Sequence, residues 1–291
     1  MRFRIRHVTR YSFNRPIFLE PHTVRLTPRS DGSFHLVSHR LVVMPTPAGA
    51  SVGLDAWGNT VHRLWFSGLT DTLRIDSESE GDALRANPFD YLVDEPVQAL
   101  PPRYSPTELA TLSACLAVDR SPAVERFADR IAGASASPPA GARSSAGPST
   151  HEFLAAMTVA LAAEHTSIVR PEGPPYDPET TLDTREVSCR DLAVLFIAAC
   201  RVRGIAARFV SGYQAGDPGQ TDRDLHAWVE AYLPGAGWRA YDPTLGLVVA
   251  DQHVALAAAA HPEDAAPVTG NFRGTGARSG MESTIDLTVY P

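Results

Sequence analysis

The side chains best suited to chemistry stand in the second half of the chain, in the order Cys189, His226 and Asp242. A thiolate is a strong nucleophile. An imidazole takes up and returns a proton near neutral pH, and a carboxylate fixes which ring nitrogen carries it. Together they form the nucleophile, base and orienter of covalent acyl transfer. Each also has a plainer reading when taken singly. A cysteine is more often a small buried residue, a strand histidine is often half-buried, and an aspartate before proline often ends a strand in a turn.

The surrounding elements give the set its order. Cys189–Arg203 reads as one helix, with Leu192, Leu195, Phe196, Ala199 and Cys200 on one face and Gly204 placed to end it. Cys189 sits in its first turn, where unpaired N–H groups and the helix dipole favour thiolate. Its own backbone N–H is a natural oxyanion donor. Ala207–Tyr213 reads as a strand. His226–Leu233 alternates cleanly, Pro234–Gly237 is a turn, and Trp238–Asp242 returns before Pro243. Such a hairpin sets its two strands about 5 Å apart, which puts His226 and Asp242 near its open end. Ser188, Arg190 and Asp191 flank the cysteine and receive supporting parts, Asp191 because a carboxylate suits a helix first turn. Trp228 shares a strand face with His226, either as a shield against water or as a core aromatic.

The rest of the chain divides by pattern. Residues 1–85 carry short alternating strands separated by Gly, Pro and Asn turns, including Asp55–Asn59, as in an antiparallel sandwich or barrel. Residues 86–150 form a connector. Ser105 and Glu108 make a capping box for a helix running through Leu109, Leu112 and Leu116, and a second helix starts at Ser121 and Pro122. Residues 133–150 are small, polar and rich in Gly and Pro, as in a flexible loop. Ser149 and Glu152 open another helix, so residues 151–291 form the expected catalytic core, with a last strand over Ser283–Tyr290. The fold class is α+β.

Composition excludes several classes. The chain has 291 residues, a net charge of −7 and 26 basic residues, all of them arginine. This charge gives no footprint for nucleic acid. There are three cysteines, at 115, 189 and 200, which is no disulfide framework and fits a reducing compartment. Cys115 and Cys200 read as core residues. The opening MRFRIRHVTRYSF alternates like a strand rather than a leader, and no run of about 18 apolar residues is present to span a bilayer. The expectation is a cytoplasmic protein without a membrane partner. The histidines at 7, 22, 35, 39 and 62 have no zinc-site spacing, and no phosphate-binding glycine loop occurs, so neither metal nor cofactor is expected.

The run from Ser188-Cys189-Arg190-Asp191 through Gly204 to Tyr213 resembles the cysteine box of the transglutaminase-like superfamily. Leu225-His226-Ala-Trp228-Val-Glu230 and Gly237-Trp-Arg-Ala-Tyr-Asp242-Pro-Thr244 are similar to its histidine and aspartate boxes. Thr9–Phe13, Pro21–Arg29 and Asp55–Asn59 resemble the β-rich N-terminal domain of bacterial members, and Asn87–Leu92 their linking segment. The resemblance implies a papain-like core with Cys189 as nucleophile, His226 as general base and acid, and Asp242 as orienter. The implied substrate is a peptide or protein carrying a carboxamide or amide bond, attacked through a Cys189 thioester. Where members often carry glycine just before the cysteine, this chain has Val187 and Ser188, which bears on acyl specificity. A different class of function, a catalytically silent peptide-binding or scaffolding module, is compatible with the same fold. In another arrangement the N-terminal domain recognises the substrate.

Overall fold

The computed structural model describes residues 1–92, 99–135, 148–171, 173–216 and 223–290. Most of the 133–150 stretch read as a flexible loop lies outside the described residues.

Strand β1 (Arg2–Leu19) follows its sequence pattern. Phe3, Ile5, His7 and Thr9 are buried, while Arg2, Arg4, Arg6 and Arg10 face solvent. It pairs antiparallel with β6 (Thr70–Ala83), which pairs with β3 (Phe34–Met44). The arginines meet carboxylates across the ladder, Arg2 with Asp82 and Arg6 with Asp76, each at 2.8 Å. Solvent screens such pairs, so they favour the register more than they stabilise the fold. A second sheet joins β2 (His22–Val24), β5 (Thr60–Trp65) and β4 (Gly49–Leu54). Phe3, Ile17, Leu73 and Ile75 of the first sheet and Val24 and Leu64 of the second share one core, which makes the N-terminal part an antiparallel β structure as expected.

The connector departs from its pattern in one place. Instead of a continuous helix through Leu116, the chain forms α1 (Pro106–Thr111) and α2 (Ser113–Leu116), with a break at Leu112. Short helices are marginal by themselves. Here Leu112 and Cys115 turn inward to pack with Ala206 and Ala260, and Leu109 is left exposed. Helix α3 (Pro122–Ser135) and helix α4 (Thr150–Glu164) follow, the latter capped by Ser149 and Glu152 as the sequence predicts.

The second half is a helix packed on an antiparallel sheet. β7 (Thr166–Ser167) pairs in parallel with β8 (Glu186–Val187), and the short α5 (Pro178–Asp183) lies between them. Helix α6 (Cys189–Val202) then buries Leu192, Leu195, Phe196, Ala199 and Cys200 against the sheet. Gly204 follows at φ +67°, a left-handed conformation that favours glycine. The sheet order is β12 (Leu247–Val248), β11 (Gly237–Asp242), β10 (His226–Leu233), β9 (Ala207–Gln214) and β13 (His253–Ala259). This is a mixed α+β fold with a helix-plus-sheet core.

The two halves are not separate stacks. Tyr213 of β9 and Val254 and Leu256 of β13 enter the N-terminal core. Asn59, wholly buried, pairs with β13 as a strand would: its Nδ2 donates to the Ala258 carbonyl at 3.0 Å and its Oδ1 accepts from the Ala258 N–H at 2.8 Å. After β13, the chain returns to the N-terminal sheets. β14 (Val268–Thr269) pairs with β2, while β15 (Phe272–Arg273) and β16 (Ser279–Tyr290) pair with β1. The sequence reading grouped residues 268–290 with the catalytic half; backbone pairing instead joins them to the N-terminal sheets. The cause is the second edge of β1, which β6 leaves open and which unpaired would expose a row of N–H and C=O groups.

Candidate active site

Cys189 is the first residue of α6, and Ser188, in extended conformation at φ −88° and ψ 164°, caps the helix. The cap is held from below. The Asp191 carboxylate, with no exposed surface, accepts from the Ser188 N–H and hydroxyl, both at 2.7 Å. Its other oxygen accepts from the Tyr176 N–H at 2.7 Å and from Arg170 at 2.5 Å. The Arg170 guanidinium also lies 4.2 Å from the centre of the Tyr176 ring. Arg190 donates to the carbonyls of Gly173 and Arg170. Arg190 and Asp191 therefore contact the loop before α5 and fasten it to the start of the cysteine helix. Val187 is wholly buried in the core that Cys189 also packs against.

Of the three thiols, only Cys189 reaches solvent. Cys200 is wholly buried, and burial pushes its thiol far up from the usual range; burial also raises Cys115. Both are core residues, as the sequence predicts.

Strands β10 and β11 bring His226 and Asp242 together: His226 Nε2 lies 2.7 Å from Asp242 Oδ2. With that nitrogen on the carboxylate, Nδ1 is left for Cys189, whose side chain lies close enough to act on the ring. Burial alone would lower the His226 pKa, but the bonds to Asp242 and Cys189 outweigh it and raise the imidazole to about 10. Burial would likewise raise Asp242, yet its bonds to two imidazoles hold it below the ordinary carboxylate range. The Asp242 carboxylate beside it favours the imidazolium form of His226.

Asp242 is engaged through both of its oxygens. Oδ1 accepts from the N–H groups of Thr244 and Leu245 at 2.9 and 3.1 Å, the strand-end turn expected with Pro243. Oδ2, which accepts from His226, also accepts a second imidazole, His253 Nε2, at 2.9 Å. Trp228 is buried, stacks on His226 at 6.1 Å between ring centres and meets His253 edge-on at 5.1 Å. Gly212 makes room for it: a Cβ there would fall 2.6 Å from the Trp228 ring and 2.2 Å from the Val254 carbonyl.

His253 was missed from sequence. It stands 11 residues beyond Asp242 at the head of an alanine-rich run, with neither alternation nor motif to mark it. His226, Asp242 and His253 also make a donor set whose atoms lie within 4.8 Å of one another, which by chemistry alone suits a divalent cation. Both imidazole contacts, however, run from Nε2 to the same carboxylate oxygen at hydrogen-bond length. A ligating nitrogen must be bare, so these two cannot donate to Asp242 and hold a metal at once. The residues fit a hydrogen-bonded network better than a metal centre. A separate cavity of about 420 Å³, lined by Tyr91, His151 and Tyr241 among others, includes none of the three sequence-picked residues.

Residues 3–82 match the family described as bacterial transglutaminase-like N-terminal region, and residues 140–243 match the transglutaminase-like superfamily. The chain belongs to the transglutaminase-like superfamily. Its second match ends one residue past Asp242 and so takes in Cys189, His226 and Asp242, while the first covers most of the N-terminal β structure. An uncharacterized protein of Mycobacterium tuberculosis is 27% identical over 99% of this chain and 93% of its own length. A protein-glutamine gamma-glutamyltransferase of Pseudomonas aeruginosa is 39% identical over 69 residues, 21% of this chain and 10% of that protein. Among solved structures, a candidate cysteine protease from Cytophaga hutchinsonii superposes with a TM-score of 0.69 at 19% identity, covering 100% of this chain and 92% of that one. That likeness shows a shared fold across both halves.

Proposed function

We propose that this superfamily member is a cysteine-dependent enzyme acting on amide bonds, with Cys189 as nucleophile, His226 as general base and acid, and Asp242 as orienter. The thiolate of Cys189 attacks the carbonyl carbon of a carboxamide or peptide bond. The imidazolium of His226 gives its proton to the leaving nitrogen, and the C–N bond breaks to leave a thioester on the sulfur. Water or an amine then adds to the thioester. His226 takes the proton of that acceptor, and the sulfur leaves as thiolate. Water gives hydrolysis, and an amine gives transfer. The Cys189 N–H, at the start of a helix where no intrahelical partner exists, is suited to the oxyanion. The substrate class is a peptide or protein, and the free cysteines fit work in the cytoplasm.

The observation that carries this reading is a single imidazole that lies 2.7 Å from Asp242 and close enough to the Cys189 side chain to be influenced by it. The experiment is incubation of the protein with a carboxamide-bearing peptide library, followed by mass spectrometry of the Cys189 peptide. Acyl adducts at Cys189, absent from His226→Ala, are expected. Peptides that bind without any acylation or turnover would instead favour the silent binding module.

A further inference from the structure

The Asp242 carboxylate carries one more partner than the proposed reaction uses. His253 opens β13, on the far side of β9 from the hairpin, and its Nε2 shares Oδ2 with His226. A carboxylate only accepts, so each nitrogen facing it must carry a hydrogen. His253 therefore holds its proton on Nε2. Its Nδ1 is buried and has no hydrogen-bond partner. A second proton there would leave an unpaired charged N–H in a dry site beside His226. Burial, the largest influence, and the neighbouring His226 push His253 down, and Asp242 only partly opposes them.

The consequence is mechanical. Oδ1 takes two backbone N–H groups and Oδ2 takes two imidazoles, so all four lone-pair positions of the carboxylate are filled. The carboxylate is thus held on both oxygens. With His253 removed, Oδ2 would keep only His226, and the ring would lose the fixed pivot that aims Nδ1 at the sulfur. Trp228 packs on both rings and fixes their spacing. The N-terminal half contributes as well, because Asn59 pairs with β13 at Ala258 and Arg29 N–H donates to the Ala255 carbonyl at 2.8 Å.

We propose that His253 is a positioning residue of the site, an Nε2–H donor that locks the Asp242 oxygen on which His226 turns. This rests on the reading of Cys189, His226 and Asp242 given above. The test uses the full chain and iodoacetamide, with the alkylation rate of Cys189 followed by intact mass at pH 7. Wild type should alkylate well above a free model thiol, and His226→Ala should not. His253→Phe keeps a ring in the space but lacks the donor, and should lose about tenfold in rate, the scale of one hydrogen bond to a charged group. His253→Gln, whose amide can donate from nearly the same place, should recover to within about threefold of wild type by the same reasoning. A role in packing alone predicts no such recovery.

If His253→Phe alkylates like wild type while His226→Ala is slow, the inference about His253 falls and the cysteine reading stands. If wild type itself alkylates no faster than the model thiol, the cysteine reading falls and takes this inference with it. Should the Phe variant fail to fold, the wild-type chain decides by itself. With nitrogen-15 histidine labelling, His253 should show the Nε2–H tautomer and a bare Nδ1 at pH 7. An Nδ1–H tautomer or an imidazolium at that pH overturns the proposal.

Discussion

Asp191 offers the sharpest test of how the start of the cysteine helix is held. Its carboxylate has no exposed surface and accepts four donors: the Ser188 N–H and hydroxyl, the Tyr176 N–H and the Arg170 guanidinium. Asp191→Asn keeps the shape but removes the charge and turns one acceptor oxygen into an amide donor. Whichever way the amide is turned, its NH2 faces two of those donors. The Ser188 hydroxyl can rotate away, but a buried backbone N–H or the guanidinium cannot. Leaving a buried donor unmet costs about 1–3 kcal/mol, and breaking a buried ion pair about 3–5 kcal/mol. The Arg170 side chain is 18% exposed, which places the loss at the lower end, about 3 kcal/mol. For a chain of this size that corresponds to a fall in Tm of roughly 6–12 °C. The assay is thermal unfolding at pH 7.5 for wild type, Asp191→Asn, Arg170→Met and the double variant. The cycle should return a coupling of about 1.5 kcal/mol or more. Cys189 alkylation should slow in Asp191→Asn, because the loop before α5 and the first turn of α6 share this carboxylate. A variant melting within about 1 °C of wild type, or a strictly additive cycle, would refute the reasoning.

Three further outcomes are expected. His226 is raised from 6.5 to about 10, so its contribution to stability is whole below pH 6.5 and lost as pH rises through about 10. The stability advantage of wild type over His226→Gln should shrink across that window in urea titrations, and an advantage that grows with pH contradicts the proton sharing. His7 is the opposite case: buried against Tyr213 where the two halves meet, it is lowered by burial from 6.5 to about 4. Its neutral form is the one the fold favours, so acidification from pH 6.5 toward 4 should cost wild type up to about 3 kcal/mol relative to His7→Gln, and a gap independent of pH would remove this account. Finally, a fragment of residues 141–291 should be insoluble when expressed alone. It strands β14–β16 without β1 and β2 and uncovers Tyr213, Val254 and Leu256. Co-expression with residues 1–140 should restore soluble protein, and a fully soluble lone fragment argues against the shared core.

The candidate site was legible in part because its main pieces are local. Ser188 and Asp191 mark the start of a helix within four residues, and the Pro234–Gly237 turn returns β11 beside β10 so that His226 and Asp242 come to meet. The alternation of β1 likewise announced which residues face inward, down to His7. The broken helix at Leu112 could not be read this way. The leucine spacing fits a helix, and burial against Ala206 and Ala260 decided otherwise.

The sequence by itself determined the order of the chemistry-bearing residues, the elements that carry them and the antiparallel character of the first half. Each of these depends on short-range periodicity, capping and turn residues, whose physics is complete within about a dozen positions. Tertiary structure alone decided that His253 shares the oxygen of Asp242, that Asn59 pairs with β13, and that the last strands belong to β1. Those contacts depend on which strand edges and lone pairs remain open once the rest has folded. A strand's pattern shows which face it buries, but it does not name the edge it will join.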